Sequence, residues 1–275
     1  MTDFKFGSRV YIMGILNVTP DSFSGDGVYQ DADKAVEIAL KMVKDGADII
    51  DIGGESTRPG ARPITTEEEI NRTAPVIKKL SKITDALISI DTSKSEVARM
   101  ALESGASIVN DIRGFEADPE IIRVIREFNA KAIVMHIKGI PRTMQNNPEY
   151  KNLIREIKDK LKSIIEKAVK EGIKKENIII DPGIGFGKTL EHNLEILNRL
   201  SEFKELARPI LVGPSRKSFI GKITGAEPEN RIFGTAASVA IAIKNGADII
   251  RVHDVREMSE VAKVACAISH SGDRG

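Results

Sequence analysis

The pattern of Gly46-Ala-Asp-Ile-Ile-Asp51 recurs twice in this chain, as Gly105-Ala-Ser-Ile-Val-Asn110 and as Gly246-Ala-Asp-Ile-Ile-Arg251. In each copy a glycine follows a helical stretch, where a residue free to adopt positive φ closes a helix end. An apolar run rich in isoleucine begins at once, and a polar residue ends it. Working outward, similar runs occupy 10–16, 48–52, 87–90, 107–110, 132–135, 178–180, 210–212 and 249–252. Helical stretches follow them at 32–45, 67–82, 95–104, 119–129, 151–171, 190–200, 218–223 with 231–245, and 259–269. Near-continuous apolar strands separated by helices imply parallel pairing with both sheet faces covered. Eight such pairs in 275 residues fit an α/β chain folded as a (β/α)8 TIM barrel, a single domain over 1–275, because such barrels use about 250 residues. A doubly wound open sheet is the alternative topology.

In a barrel the polar strand ends share the C-terminal face, where active sites form. Asn17, Asp51, Asp91, Asn110, His136, Asp181, Lys217, Arg251 and His253 then converge on one pocket. The densest signal among them is Ile180-Asp-Pro-Gly-Ile-Gly-Phe-Gly-Lys-Thr189. Its spacing excludes a Walker loop, because Pro182 stands where that motif needs glycine, and it excludes the dinucleotide fingerprint. A turn with glycines for positive φ is the plain reading. Against it, a carboxylate such as Asp181 at a strand end is costly unless it meets a donor.

Gly213-Pro-Ser-Arg-Lys-Ser218 gathers cations and backbone amides at a helix start, a place that favours an anion's oxygen. Arg251 and His253 alternate along the eighth strand, so both face one side, as a pair suited to a polyanion would. His136 has no partner by spacing and reads first as a core histidine.

Lys+Arg 41 against Asp+Glu 40 leaves a net charge of +1, so no global field favours nucleic acid or an anionic membrane. The first residues carry no apolar targeting core, and no apolar run approaches the ~18 residues of a membrane span. The single Cys266 excludes an intramolecular disulfide. These features describe a cytoplasmic globular protein.

Taken in order, Met13-Gly-Ile-Leu-Asn-Val-Thr-Pro-Asp-Ser-Phe-Ser24, Asp51-Ile-Gly-Gly-Glu-Ser-Thr-Arg-Pro-Gly60, Ile90-Asp-Thr92, Asn110-Asp111, Asp181 to Lys188, Ser215-Arg-Lys-Ser-Phe219 and Arg251-Val-His-Asp-Val255 resemble the dihydropteroate synthase family. The resemblance covers nearly the whole chain. It implies a barrel transferase of folate biosynthesis, usually homodimeric and a sulfonamide target. That enzyme uses Mg2+ and joins p-aminobenzoate to 6-hydroxymethyl-7,8-dihydropterin diphosphate, releasing pyrophosphate. By resemblance, Asp91, Asn110, Asp181 and Lys217 hold the pterin. Asn17, as metal ligand, with Arg251 and His253 holds the diphosphate and Mg2+, with Thr57 nearby. Phe23, Arg58, Pro59 and Ser218 form the p-aminobenzoate side. Asp91, Lys217, Arg251 and His253 are the catalytic set.

Two departures stand out. The first loop reads Ser24-Gly-Asp-Gly27 where the commoner pattern is Ser-Asp-Gly-Gly, and Pro214 replaces the usual Thr or Ala. A corrinoid-linked methyltransferase barrel would share the pterin acids but has no need of Ser215-Arg-Lys-Ser218 or the Thr57-Arg-Pro loop. A pterin-binding paralogue without catalysis is the other alternative.

Overall fold

In the computed structural model, residues 4, 6, 9–19, 32–56, 62–269 and 271 are described. The strands are β1 (Tyr11–Asn17), β2 (Ile49–Gly53), β3 (Leu87–Asp91), β4 (Ile108–Asp111), β5 (Lys131–Met135), β6 (Ile178–Asp181), β7 (Leu211–Val212) and β8 (Ile249–Val252). Each is followed by one or two of the helices α1 (Ala32–Lys44), α2 (Thr66–Leu80), α3 (Ser95–Glu103), α4 (Ile121–Glu127), α5 (Leu153–Lys170), α6 (Leu190–Asn198), α7 (Ser218–Thr224), α8 (Ile232–Lys244) and α9 (Val255–Ser269). Pairing is parallel throughout, in the order β6-β5-β4-β3-β2-β1-β8-β7. The Ile180 amide bonds the Pro209 carbonyl at 2.9 Å and Ile180 bridges Ile210, which closes β6 onto the β7 side. The barrel topology expected from the eight units is the one observed, and the open sheet is excluded.

The repeat that opens the sequence is a helix-ending device. Gly46, Gly105 and Gly246 take φ of +110°, +113° and +101°. The amide after each reaches back to the carbonyl five residues earlier, Ala47 to Met42, Ala106 to Ala101 and Ala247 to Ala242, at 2.9–3.0 Å. This is the Schellman pattern, and it delivers the chain straight into a strand. Gly172-Ile173 and Asn129-Ala130 use the same bonds without the same letters. One boundary differs from expectation: α9 starts at Val255, four residues early, because Met258 already bonds the Asp254 carbonyl. The strand therefore turns into helix almost at once after His253.

Alternation along the strands sorts the interior into floors. Tyr11, Met13, Ile49, Ile108, Ile133, Ile179, Leu211 and Ile249 form a buried cluster inside the barrel, with Phe4 and Phe6 packed on it at the N-terminal end. The apolar residues of opposite parity join the larger core between strands and helices. Two residues beyond the inner apolar floor, the same face of the strands carries Asp51, Asn110, Asp181 and Arg251, so the period of two places polar groups above a sealed floor.

Candidate active site

The strand registers bring Asn17 opposite Gly53, Gly53 opposite Asp91, and Asp91 opposite Asn110. These residues make one row across four strands, and glycine leaves space between Asn17 and Asp91. Below the row, Arg251 crosses from β8. Its Nε donates to Asp51 Oδ2 and its Nη2 to Asp91 Oδ2, each at 2.6 Å. Asn110 Nδ2 donates to the same Asp51 oxygen at 3.1 Å. Burial pushes the Asp91 carboxyl up to about 7, with Arg251 pulling it back and Asp51 adding to the rise. Among the described residues, Asp51 Oδ1 is buried without a hydrogen-bond partner, as is Ser89 Oγ at the paired register position on β3.

Asp181 ends β6 and its Oδ1 accepts the Gly183 N–H at 2.7 Å. Burial pushes this carboxyl up to about 6, against the pull of the Gly183 amide and Lys217. Lys217, the N-cap residue of α7, lays its ammonium 4.1 Å from the Phe186 ring centroid. Burial draws it down to about 8, with Arg251 acting in the same direction. Gly185 is required beneath it: a Cβ there would lie 2.9 Å from Lys217 Cδ, at a φ of +83°. Phe186 joins Ile112, Met135, Ile137 and Met144 in a buried apolar cluster alongside these groups.

His253 and Ser215 fix each other. The His253 amide donates to Ser215 Oγ at 3.2 Å, and that oxygen lies 3.0 Å from His253 Nδ1. When the Ser215 hydroxyl gives its own proton to Nδ1, the imidazole carries its hydrogen on Nε2. Burial, then Arg251 and Arg216, pull the imidazole down to about 4. The imidazole is therefore neutral near pH 7 in the absence of a bound anion. Arg216 takes φ +56° and pairs with Asp254, with Nε to Oδ2 at 3.0 Å. Ser218 begins α7 and is exposed at the mouth.

Of the residues expected to converge, Asn17, Asp51, Asp91, Asn110, Asp181, Lys217, Arg251 and His253 are brought to this face. His136 is buried and turns to Lys188, whose Nζ is 3.1 Å from its Nδ1. Phe23, Thr57, Arg58 and Pro59, with the altered Ser24-Gly-Asp-Gly27 stretch, lie outside the described residues. Sequence reasoning gave no role to Lys188, to Ser215 as the partner of His253, or to the apolar cluster.

It also missed Lys94. This ammonium donates to Glu69 Oε2 at 2.6 Å, Glu55 Oε2 at 2.8 Å and the Ile64 carbonyl at 3.0 Å. It thereby ties both described ends of the segment after β2 to the turn that follows Asp91. Glu69 is 1% exposed, and burial raises its carboxyl above the usual range. Lys94→Met strands that carboxylate and is expected to cost about 3 kcal/mol in urea unfolding at neutral pH. A carboxyl raised in the folded state carries its penalty above its folded pKa and sheds it as pH falls. The deficit should therefore shrink on acidification, and a loss independent of pH would remove Glu69 as its cause.

A buried carboxylate and a partly buried lysine sit beside an arginine that gathers two further acids, at the face of the barrel where enzymes of this fold hold their ligands. The family described as pterin binding enzyme matches residues 13–253. A dihydropteroate synthase from Synechocystis sp. is 50% identical over 97% of this chain and 93% of its own length. Two solved dihydropteroate synthases superpose closely. The Yersinia pestis protein, in complex with a sulfonamide drug, has a TM-score of 0.92 at 42% identity, covering 96% of each chain. That of Clostridium difficile, in the presence of pteroic acid, has a TM-score of 0.90 at 48% identity, covering 97% of this chain and 99% of its own. The chain belongs to the dihydropteroate synthase family of pterin-binding enzymes.

Proposed function

We propose that this chain condenses 6-hydroxymethyl-7,8-dihydropterin diphosphate with p-aminobenzoate to give 7,8-dihydropteroate and pyrophosphate. The observation that carries the reading is the convergence of Asp181, Lys217 and Arg251 from three successive strand ends. The pterin's amino-pyrimidinone edge presents adjacent N–H groups, which the Asp181 carboxylate accepts. Lys217 donates to the ring's opposite acceptors, and Asn110 and Asp91 complete the polar rim.

The methylene C–O bond breaks with its electron pair going to pyrophosphate, and the arylamine nitrogen bonds the methylene and then loses a proton. An arylamine is a weak nucleophile, so departure runs ahead of attack. Arg251 uses Nε–H and one Nη2–H on Asp51 and Asp91. A guanidinium has five donors, so three remain for the departing oxygens. Arg251 and the His253 Nε2–H stabilise the leaving group, and Asp91 offsets the positive charge spreading over the dihydropterin. Ser218 faces the p-aminobenzoate carboxylate; by resemblance Phe23, Arg58 and Pro59 belong to that side and Thr57 to the neighbourhood of the diphosphate.

Asn17 ends β1 with a neutral amide oxygen across Gly53 from Asp91, the hard-donor class that Mg2+ accepts alongside phosphate oxygens and water. The donor set fits, and Mg2+ bound there would neutralise diphosphate charge. A chain with one cysteine suits the reducing cytoplasm, where we place the enzyme. Among the described residues no helix is long and apolar enough to cross a membrane.

The protein is proposed to act as a homodimer. Apolar on nearly all sides, α8 leaves Phe233 86% exposed and Ile241 half exposed, with Ile223 of α7 and Val264 and Ile268 of α9 also exposed. Such a surface favours a covering partner. Phe233→Glu is expected to yield a monomer by light scattering; a monomeric parent protein would overturn the assignment. The function itself is tested by pyrophosphate release from the dihydropterin diphosphate, with Mg2+, with and without p-aminobenzoate. Release coupled to dihydropteroate formation supports the synthase. Pterin binding without release would move the reading to the non-catalytic paralogue or the methyltransferase.

A further inference from the structure

The glycine loop after β6 is braced from three sides by neutral groups. Asn193 Oδ1 accepts the Gly185 amide at 2.7 Å, Gln145 Nε2 donates to the Gly185 carbonyl at 2.5 Å, and Tyr150 Oη donates to the Gly187 carbonyl at 2.8 Å. The fourth brace is charged. Lys188 is 3% exposed, and its Nζ lies 2.9 Å from the Phe186 carbonyl, 3.1 Å from His136 Nδ1 and 3.4 Å from the His136 carbonyl. An ammonium has three hydrogens, and these three acceptors use them all. None is an acid. A buried charge satisfied only by neutral acceptors is an expensive strut where neutral braces already serve.

The charge has a counterpart one layer away. Gly183 separates them: its N–H bonds Asp181 Oδ1 at 2.7 Å, and a Cβ built on it would lie 3.3 Å from Lys188 Nζ and 2.0 Å from the His136 carbonyl. Only glycine, here at φ +77°, fits against the His136 carbonyl between the two charges. The Phe186 carbonyl held by Lys188 belongs to the residue whose ring carries the Lys217 ammonium. We propose that Lys188 is a positioning residue of the pterin site, the fixed counter-charge behind Asp181 and the anchor of the Phe186 platform under Lys217. This rests on the reading of Asp181 as the pterin's carboxylate.

The titrations run the same way. Asp181 faces Lys217 and Arg251 from β7–α7 and β8, and Lys188 from its own loop. Lys188 faces Asp181, Lys217 and the neutral His136, itself held well below its usual range by burial and by Lys188. Burial pushes Asp181 up to about 6 and Lys188 down to about 7, and each draws the other back toward its charged form. A raised carboxyl is lost as an acceptor when pH falls through its pKa, so pterin affinity has an acid limb near 6. Removing the cation raises Asp181 further and moves that limb to higher pH.

The test is equilibrium binding of 6-hydroxymethylpterin, followed by its fluorescence across the limb, with folding checked by thermal melting. Two variants are used: Lys188→Met, and Lys188→Gln, which removes the charge and is one bond shorter but keeps an N–H donor. The limb should move up by roughly one pH unit in either variant. If Lys188→Met does not fold, the Lys188→Gln limb alone decides. A lowered melting temperature with the limb unmoved would reduce Lys188 to a strut and overturn the proposal. A parent protein that binds no pterin at any pH would instead overturn the assignment of Asp181, and with it this inference.

Discussion

An Arg251→Met enzyme is expected to lose about a thousandfold in kcat/KM, and to lose stability in a way that depends on pH. The kinetic loss follows from removing a preorganised cation aimed at growing negative charge, which is worth about 2.7–4 kcal/mol in a water-excluded site. The stability loss has a separate origin. Arg251 is the cation between Asp51 and Asp91, with both contacts at 2.6 Å, and Asp51 has no exposure to water. Taking away one partner of a buried ion pair costs about 3–5 kcal/mol because the other charge is stranded. Here two carboxylates face each other across the gap.

Burial already pushes Asp91 up to about 7, and without Arg251 it rises further. Its ionisation penalty applies in full above the folded pKa and disappears below the unfolded one. The variant's deficit in urea unfolding should therefore grow as pH rises through about 7 and narrow toward about pH 5. An equal deficit at both pH values would mean that Arg251 supports the fold by packing its stem. Unchanged turnover in a folded variant would remove it from the leaving-group site.

The barrel and much of its mouth are legible in the sequence for one physical reason. Strand side chains alternate with period two, so Asp51, Asn110, Asp181 and Arg251, two residues beyond Ile49, Ile108, Ile179 and Ile249, must share the inner face. The glycine repeat marks three helix ends because positive φ is cheap only there. What lies outside regular elements is not legible in this way. Lys188 follows Gly183, Gly185 and Gly187, all at positive φ, so no periodicity says where its side chain points. The bond between Ser215 and His253 joins two loops 38 residues apart. Lys94 belongs to no strand end, and its acids arrive from the segment after β2 and from α2. Strand ends can be read one at a time, whereas these pairings exist only after the barrel has closed.

Asp181→Asn is expected to weaken pterin binding by about a hundredfold to a thousandfold while leaving the fold intact. The carboxylate accepts the Gly183 N–H through Oδ1. In the variant the amide oxygen keeps that bond, which leaves the NH2 at the other position. A pterin N–H then meets a donor where it had an acceptor, and a buried donor is left unpaired on each side. A site built to hydrogen-bond an N–H discriminates steeply for this reason, whereas an added contact gains little. The pH profile separates this from a structural effect. In the parent protein a proton competes with the ligand's donors as pH falls through about 6, so affinity drops on the acid side. The variant has nothing to titrate there, so its weak binding should be flat. Stability should move the other way. A carboxyl raised by burial costs stability once ionised, so above its pKa the uncharged variant should be at least as stable as its parent. A variant that binds pterin with the parent's acid limb would show that another group makes the limb, and Asp181 would lose its place on the pterin edge.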